Sequence, residues 1–115
     1  MSALPLDLSN LEHLFKGDRS LMREWIGLYL QESPRYFALL SVSQSSGDAQ
    51  ALASAAHDLQ PQAHYLSAAR MLELLTAIEE QAMNGDTHAC GELLNTLIPV
   101  REAIETELRS VLNAG

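Results

Sequence analysis

The chain has 115 residues, enough for one hydrophobic core and too few for two. Its 47% hydrophobic and 19% charged content excludes a disordered chain. Its one cysteine, Cys90, excludes an internal disulfide framework and a cysteine-based zinc knuckle. The formal net charge of −8, with a single lysine (Lys16) and scattered arginines, leaves no basic stripe for nucleic acid or an anionic membrane. A protein partner is expected instead. No run of about 18 apolar residues offers a membrane span, and the start MSALPLDLSN lacks the basic and apolar segments of a secretory signal. A cytoplasmic, monomeric protein is the expectation, with one domain over residues 1–115 and with Met1 and the ending read as those of a free-standing unit.

Strand signatures are absent, and helical spacing runs through nearly every segment. A short first helix is predicted over 9–16, with Ser9 and Glu12 as a capping box and Gly17 as its end. Asp18 caps a long second helix to about residue 44, with Leu21, Met22, Trp25, Ile26, Tyr29, Phe37 and Leu40 as its apolar positions. Ser33-Pro34 is expected to bend or break it. Ser45-Ser46-Gly47 reads as a turn, and Asp48 caps a third helix with the stripe Leu52, Ala56, Leu59 and Ala63. Pro61 is expected to end or bend that helix. A fourth helix over about 67–83 turns Leu72, Leu75, Ile78 and Ala82 inward, and Asn84-Gly85 ends it. Asp86 caps a fifth helix that carries Cys90, Leu94, Leu97, Val100, Ile104, Leu108 and Val111, with Pro99 as a candidate kink. Long helices joined by short turns predict an all-α fold: an antiparallel up-and-down four-helix bundle with a short extra N-terminal helix.

Chemistry in such a bundle points to histidine. His13 and His88 lie near helix ends and read as solvated. His57 lies about 160° from Leu59 on a helical wheel, opposite the buried stripe. Its neighbours three, four and seven residues away are Gln50, Ala53, Ser54, Gln60, Pro61 and His64. Ala53, Ser54 and Pro61 are small or compact, and no Glu, Arg or Lys of the same helix shields the ring. An accessible imidazole of this kind can attack through nitrogen, although most exposed histidines are merely solvated. Pro61 has no N–H, so the His57 carbonyl loses its helical donor. No E-x-x-H motif occurs, and His57 and His64 are about 10.5 Å apart along an unbroken helix, so no metal site is expected. Trp25, Tyr29 and the methionines read as packing. Glu79-Glu80, Glu102 and Glu105 read as solvated faces, and Cys90 as an inert buried thiol. Tyr65 and Gln62 either border a docking face or shape the turn.

The segment AAHDLQPQAHYLSAARMLELLTAIEEQAMNGD resembles the signature of histidine-containing phosphotransfer (HPt) domains. Ala56-His57 and Leu59 match its start, Leu66 and Ala68 its middle, and Ile78-Glu79 and Gly85-Asp86 the downstream helix and turn. Upstream, Leu14-Phe15-Lys16-Gly17-Asp18, Leu21-Met22, Leu28-Tyr29-Leu30 and Gly47-Asp48 also fit. The register through Ala63-His64 begins equally well and then fails at Glu73 and Leu74. Three departures stand out. Gln60 replaces a usual lysine, and Pro61 and Ser67 replace usual glycines.

The resemblance implies a phosphorelay intermediate without a kinase site of its own, which agrees with the absence of a Gly-rich phosphate loop. His57 would be the phosphoacceptor, taking the group from an aspartyl phosphate of a response-regulator receiver domain and passing it to another receiver. Gln60, Pro61, His64, Ser67, Ser54 and Ala53 would support it or border the docking face. The implied partners are the receiver and a hybrid sensor histidine kinase. No cofactor is implied on this chain, with Mg²⁺ carried by the receiver. Gln60 donates a hydrogen bond but brings no charge, with Arg70 the chain's own candidate to compensate. That departure motivates the alternative of a transfer-deficient module that binds a receiver or kinase as scaffold or inhibitor.

Overall fold

The computed structural model describes residues 5–114. Residues 1–4 and 115, on which the readings of the leader and of the chain's ending partly rest, lie outside the described residues. Five helices follow in order: α1 (Ser9–Leu14), α2 (Arg19–Ser46), α3 (Ala49–Tyr65), α4 (Ala69–Met83) and α5 (Thr87–Asn113), with no strand among the described residues.

One dipeptide builds three of the turns. Gly17, Gly47 and Gly85 all adopt left-handed backbone, with φ of +78°, +73° and +80°. This conformation closes a helix end at little cost only for glycine. The aspartate that follows each glycine caps the next helix. Asp18 Oδ1 accepts from the Leu21 N–H (3.1 Å), Asp48 Oδ1 from Ala51 (3.1 Å) and Asp86 Oδ1 from Ala89 (3.0 Å). Turns this short leave successive long helices antiparallel. α3 packs on α2 and α4, and α5 packs on α4 and α2, so the four long helices close a ring. The 28 residues of α2 span about 42 Å at the helical rise, which matches the 43 Å long dimension of the molecule.

The ring encloses one core. α3 buries Leu52, Ala55, Ala56, Leu59 and Ala63, and α4 buries Met71, Leu74, Leu75, Ile78 and Ala82. α5 adds Cys90, Leu97, Ile104 and Leu108, and α2 adds Ile26, Tyr29, Phe37 and Leu40. Leu72, Leu94, Val100 and Val111 sit half-buried at its rim, as do Met22 and Trp25, while Leu21 is exposed. Met83 departs from its packing assignment. It is the last residue of α4, beside the turn, and is 74% exposed. Burial pushes the Cys90 thiol pKa up, and its Sγ donates to the Ile78 carbonyl (3.5 Å).

The helix breaks expected at proline do not occur. α2, α3 and α5 run unbroken through Pro34, Pro61 and Pro99, and α2 extends through Ser45 and Ser46 to the Gly47 cap. All three prolines are exposed. Water can serve the carbonyl that each ring deprives of a donor, and the packed opposite face carries the helix across the gap.

The capping box of α1 is also replaced. Ser9 opens the helix instead of capping it, and Leu8 occupies the cap without a side-chain bond. Asp7 does the work. Its carboxylate accepts from the Ser9 N–H (2.9 Å) and from the Ser9 hydroxyl, and both bonds hold the Asp7 pKa below its ordinary value. Ser9 lies inside the first turn, one residue past the position from which a hydroxyl caps. α1 ends at Leu14, because Lys16 and Gly17 both adopt left-handed backbone.

The N-terminal segment positions the end of α3. Leu6 and Leu11 are buried. The Asp7 N–H donates to the Leu66 carbonyl (2.9 Å), and the Asn10 amide reaches the carbonyls of His64 and Tyr65 (3.3 Å each). Carbonyls that a helix end leaves without partners are thus satisfied. At the α3–α4 turn Ser67 holds φ +50°, the position of the family's second glycine, while Ala68 N–H bonds the Ala63 carbonyl (2.9 Å). A left-handed residue with a Cβ is strained by roughly 1–2 kcal/mol. Ser67→Gly should therefore raise stability by roughly 0.5 kcal/mol after the entropic cost of glycine, read as a higher denaturant midpoint. An unchanged or lower midpoint would show that Ser67 carries no strain.

Tyr29 yields a second stability test. Its hydroxyl and that of Ser33, one turn on, are buried without hydrogen-bond partners. Burial is the largest cause that pushes the Tyr29 pKa up from 10.0 to about 12. The folded value lies above the unfolded one. Stability from the neutral phenol is therefore complete below about pH 10 and is lost as pH rises to about 12. Tyr29→Phe should flatten that alkaline loss and, at neutral pH, match or exceed wild type by up to about 1 kcal/mol. Denaturant midpoints across pH 8–12 check it, and parallel curves for the two proteins would overturn it.

Candidate functional site

His57 stands midway along α3, directly after the buried Ala56 and two residues before the buried Leu59, so its ring projects outward and is 68% exposed. Along α3, Ala53 is half-buried, and Ser54, Pro61 and His64 are exposed around it. The small-residue clearing expected from the sequence is present on this helix.

The contact that orients the ring comes from α4. Glu79 Oε2 lies 2.9 Å from His57 Nδ1, and Glu79 Oε1 accepts from the Gln60 Nε2 amide, also at 2.9 Å. Glu79 is therefore not on a solvated face. Its side chain is only 23% exposed, in the seam between α3 and α4, whereas Glu80 is exposed as expected. The reason is hairpin geometry. Residues equidistant from Ser67 face each other across antiparallel helices, which brings the region of 77–79 opposite His57. Glu105 departs in the same way. It is 14% exposed and pairs with Arg101 (2.7 Å) and Arg109 (3.7 Å), while Glu102 is exposed.

A carboxylate only accepts, so Glu79 favours a proton on Nδ1, and in the neutral ring that tautomer leaves Nε2 its lone pair. The nitrogen further from the backbone is thus left for an incoming electrophile. Among the described residues no arginine or lysine pairs with this cluster. α3 carries none, and Arg70 does not compensate, because its guanidinium bonds Glu73 at 2.6 Å and its backbone lies about 13 Å along α4 from Glu79. The expected supporting residues separate accordingly. Gln60 belongs to the cluster, Ala53, Ser54 and Pro61 flank the ring, and His64 lies two turns along. Ser67 does not border the ring, being a turn residue ten positions away.

Between α2 and α3 a groove of about 180 Å³ is lined by Trp25, Leu28, Tyr29, Tyr36, Leu59 and Gln62. Trp25 stacks on Tyr29 (5.8 Å between ring centroids) and meets Tyr65 edge-on (6.0 Å). Gln62 and Tyr65 therefore line or adjoin a surface groove. Leu28 is 53% exposed beside it.

A family model, the Hpt domain, matches residues 24–114. The chain belongs to the Hpt domain family. Hpt domains are helical bundles that act in phosphotransfer within two-component phosphorelays and interact with receiver domains. The match takes in α2 from Glu24 and all of α3, α4 and α5, including the His57 cluster. α1 and the Lys16-Gly17-Asp18 turn lie upstream of it. Neither a search of curated proteins nor one of solved structures gave a match. Among the described residues of this Hpt domain no helix is long and apolar enough to cross a membrane, and no group of three or more His, Cys, Asp or Glu side chains is placed to hold a metal ion.

Proposed function

We propose that this Hpt domain, acting as one unit and as a monomer, accepts a phosphoryl group on His57 from a receiver's aspartyl phosphate and hands it to a second receiver. A hybrid kinase is the proposed origin of the group. The observation that supports this is the exposed imidazole of a stiff helix, anchored at Nδ1 by Glu79. In the forward step the Nε2 lone pair attacks phosphorus, the P–N bond forms, and the P–O bond to the aspartyl carboxylate breaks, releasing the carboxylate. The ring gains positive charge, and its Nδ1 proton lies against the Glu79 carboxylate, which stabilises that charge. Return to a second receiver reverses these bonds. Transfer of this kind depends on in-line positioning and on charge neutralisation at phosphorus. The receiver brings the Mg²⁺, and this chain supplies the positioned ring.

The groove beside Trp25 and Leu28 is the proposed docking surface for the receiver. Its exposed apolar edge suits a protein partner and not a free anion.

Incubation with a phosphorylated, radiolabelled receiver tests the acceptor. Wild type is expected to take label that is acid-labile, and His57→Gln to take none. Equal label on the variant would reject His57. A second reading, docking without transfer, is favoured by the absence of any lysine or arginine from the His57–Glu79–Gln60 cluster. It requires receiver binding unaltered by His57→Ala together with an unlabelled wild type.

Docking is tested separately. Leu28→Arg changes an exposed position and should weaken receiver binding about tenfold, measured by titration calorimetry, while leaving the folded structure intact. Unchanged affinity would remove the groove from the interface.

A further inference from the structure

The family's usual lysine would place a cation three residues beyond the acceptor. In this chain the side chain at that position has another task. Gln60 donates to Glu79 Oε1 across the α3–α4 seam, and the other oxygen of the same carboxylate takes His57 Nδ1. Resting on the reading of His57 as acceptor, we infer that Gln60 is a positioning residue that acts on His57 through Glu79 and not on the phosphoryl group.

The physical case has two parts. A glutamate side chain rotates about three bonds, and one contact with an exposed ring does not fix its carboxylate plane. The amide of Gln60 supplies the second fixed point. His57 and Gln60 share one helix, three residues apart, while Glu79 comes from the neighbour, so the three side chains link both helices. The second part is charge. An ammonium at position 60 would pair with Glu79 and diminish the field at Nδ1. The neutral amide holds the carboxylate in place and leaves its charge available to the imidazolium character that grows as the P–N bond forms. Gln60 thus assists the accepting step and contributes no cation to the phosphoryl oxygens, which fall to the partner.

Nitrogen-15 NMR of the full chain, labelled at histidine and free of receiver, reads the ring directly. In wild type His57 should carry its proton on Nδ1, against the preference of a free imidazole side chain. Gln60→Ala should lower the Nδ1–H population and slow labelling by a phosphorylated receiver about fivefold, the value of one hydrogen bond. Its affinity for the receiver should not change. Gln60→Lys, which returns a donor to Glu79 but offsets its charge, should restore the Nδ1–H population part-way, above Gln60→Ala and below wild type. A tautomer population and rate in Gln60→Ala equal to wild type would overturn the inference. So would a rate loss accounted for entirely by weaker receiver binding. If wild type takes no label but the tautomer still follows position 60, the acceptor reading falls and the Gln60–Glu79–His57 linkage stands.

Discussion

The 2.9 Å contact between His57 Nδ1 and the Glu79 carboxylate is the one on which the site depends, because it gives an exposed ring a fixed neighbour. A surface imidazole alone rotates about two bonds and exchanges its proton between nitrogens. A partner carboxylate 2.9 Å away removes both freedoms, but only while α3 and α4 keep their separation to a fraction of an ångström. The bundle supplies that rigidity. Ala56, Leu59 and Ala63 of α3 and Met71, Leu75 and Ile78 of α4 are all buried in one core, and the short turn through Ser67 fixes the register of the pair. Small side chains at 56 and 63 suit a close approach of the two helices. The core is therefore part of the chemistry at one remove, since it holds two side chains on separate helices at bonding distance.

Much of this architecture was legible from local rules. A Gly-Asp pair encodes a left-handed stop and a cap within two residues, so three helix boundaries could be read without tertiary information. The stripe through Leu52, Ala56, Leu59 and Ala63 placed His57 outward, and so it lies. The same local view misjudged Glu79. A wheel drawn for α4 alone shows neighbouring glutamates on a polar edge, and only the antiparallel pairing about Ser67 reveals that one of them meets α3. The Ile78-Glu79 pair in the family pattern and its distance from the turn were the available signals. The breaks expected at proline fail for a related reason. The rule that proline breaks helices describes a lone helix, and here packing on the far side of α2, α3 and α5 carries each helix through.

The three departures from the family pattern acquire separate physical meanings. Gln60 joins the orienting cluster. Ser67 retains the left-handed backbone that glycine would adopt more cheaply. Pro61 removes the donor for the His57 carbonyl, yet α3 continues to Tyr65. Its far end is held from outside the bundle, since Asn10 and the Asp7 N–H engage the carbonyls of residues 64–66. A helix missing one internal bond beneath His57 is thus fastened beyond the gap.

Charge then divides the work between this protein and its partner. The chain carries −8 overall, and a carboxylate, not a cation, stands beside His57. A small free phosphate compound would meet repulsion at long range and find no cation at the ring. A protein that bears its phosphoryl group within its own cationic site does not suffer this penalty, because the cations travel with the group. It can also bury apolar surface against Trp25 and Leu28, a gain that a small donor cannot match. The acidic surface, the cation-free site and the apolar groove between α2 and α3 therefore select for the same kind of donor. Under the proposed function they make His57 open to a docked receiver and poor at reacting with anything smaller.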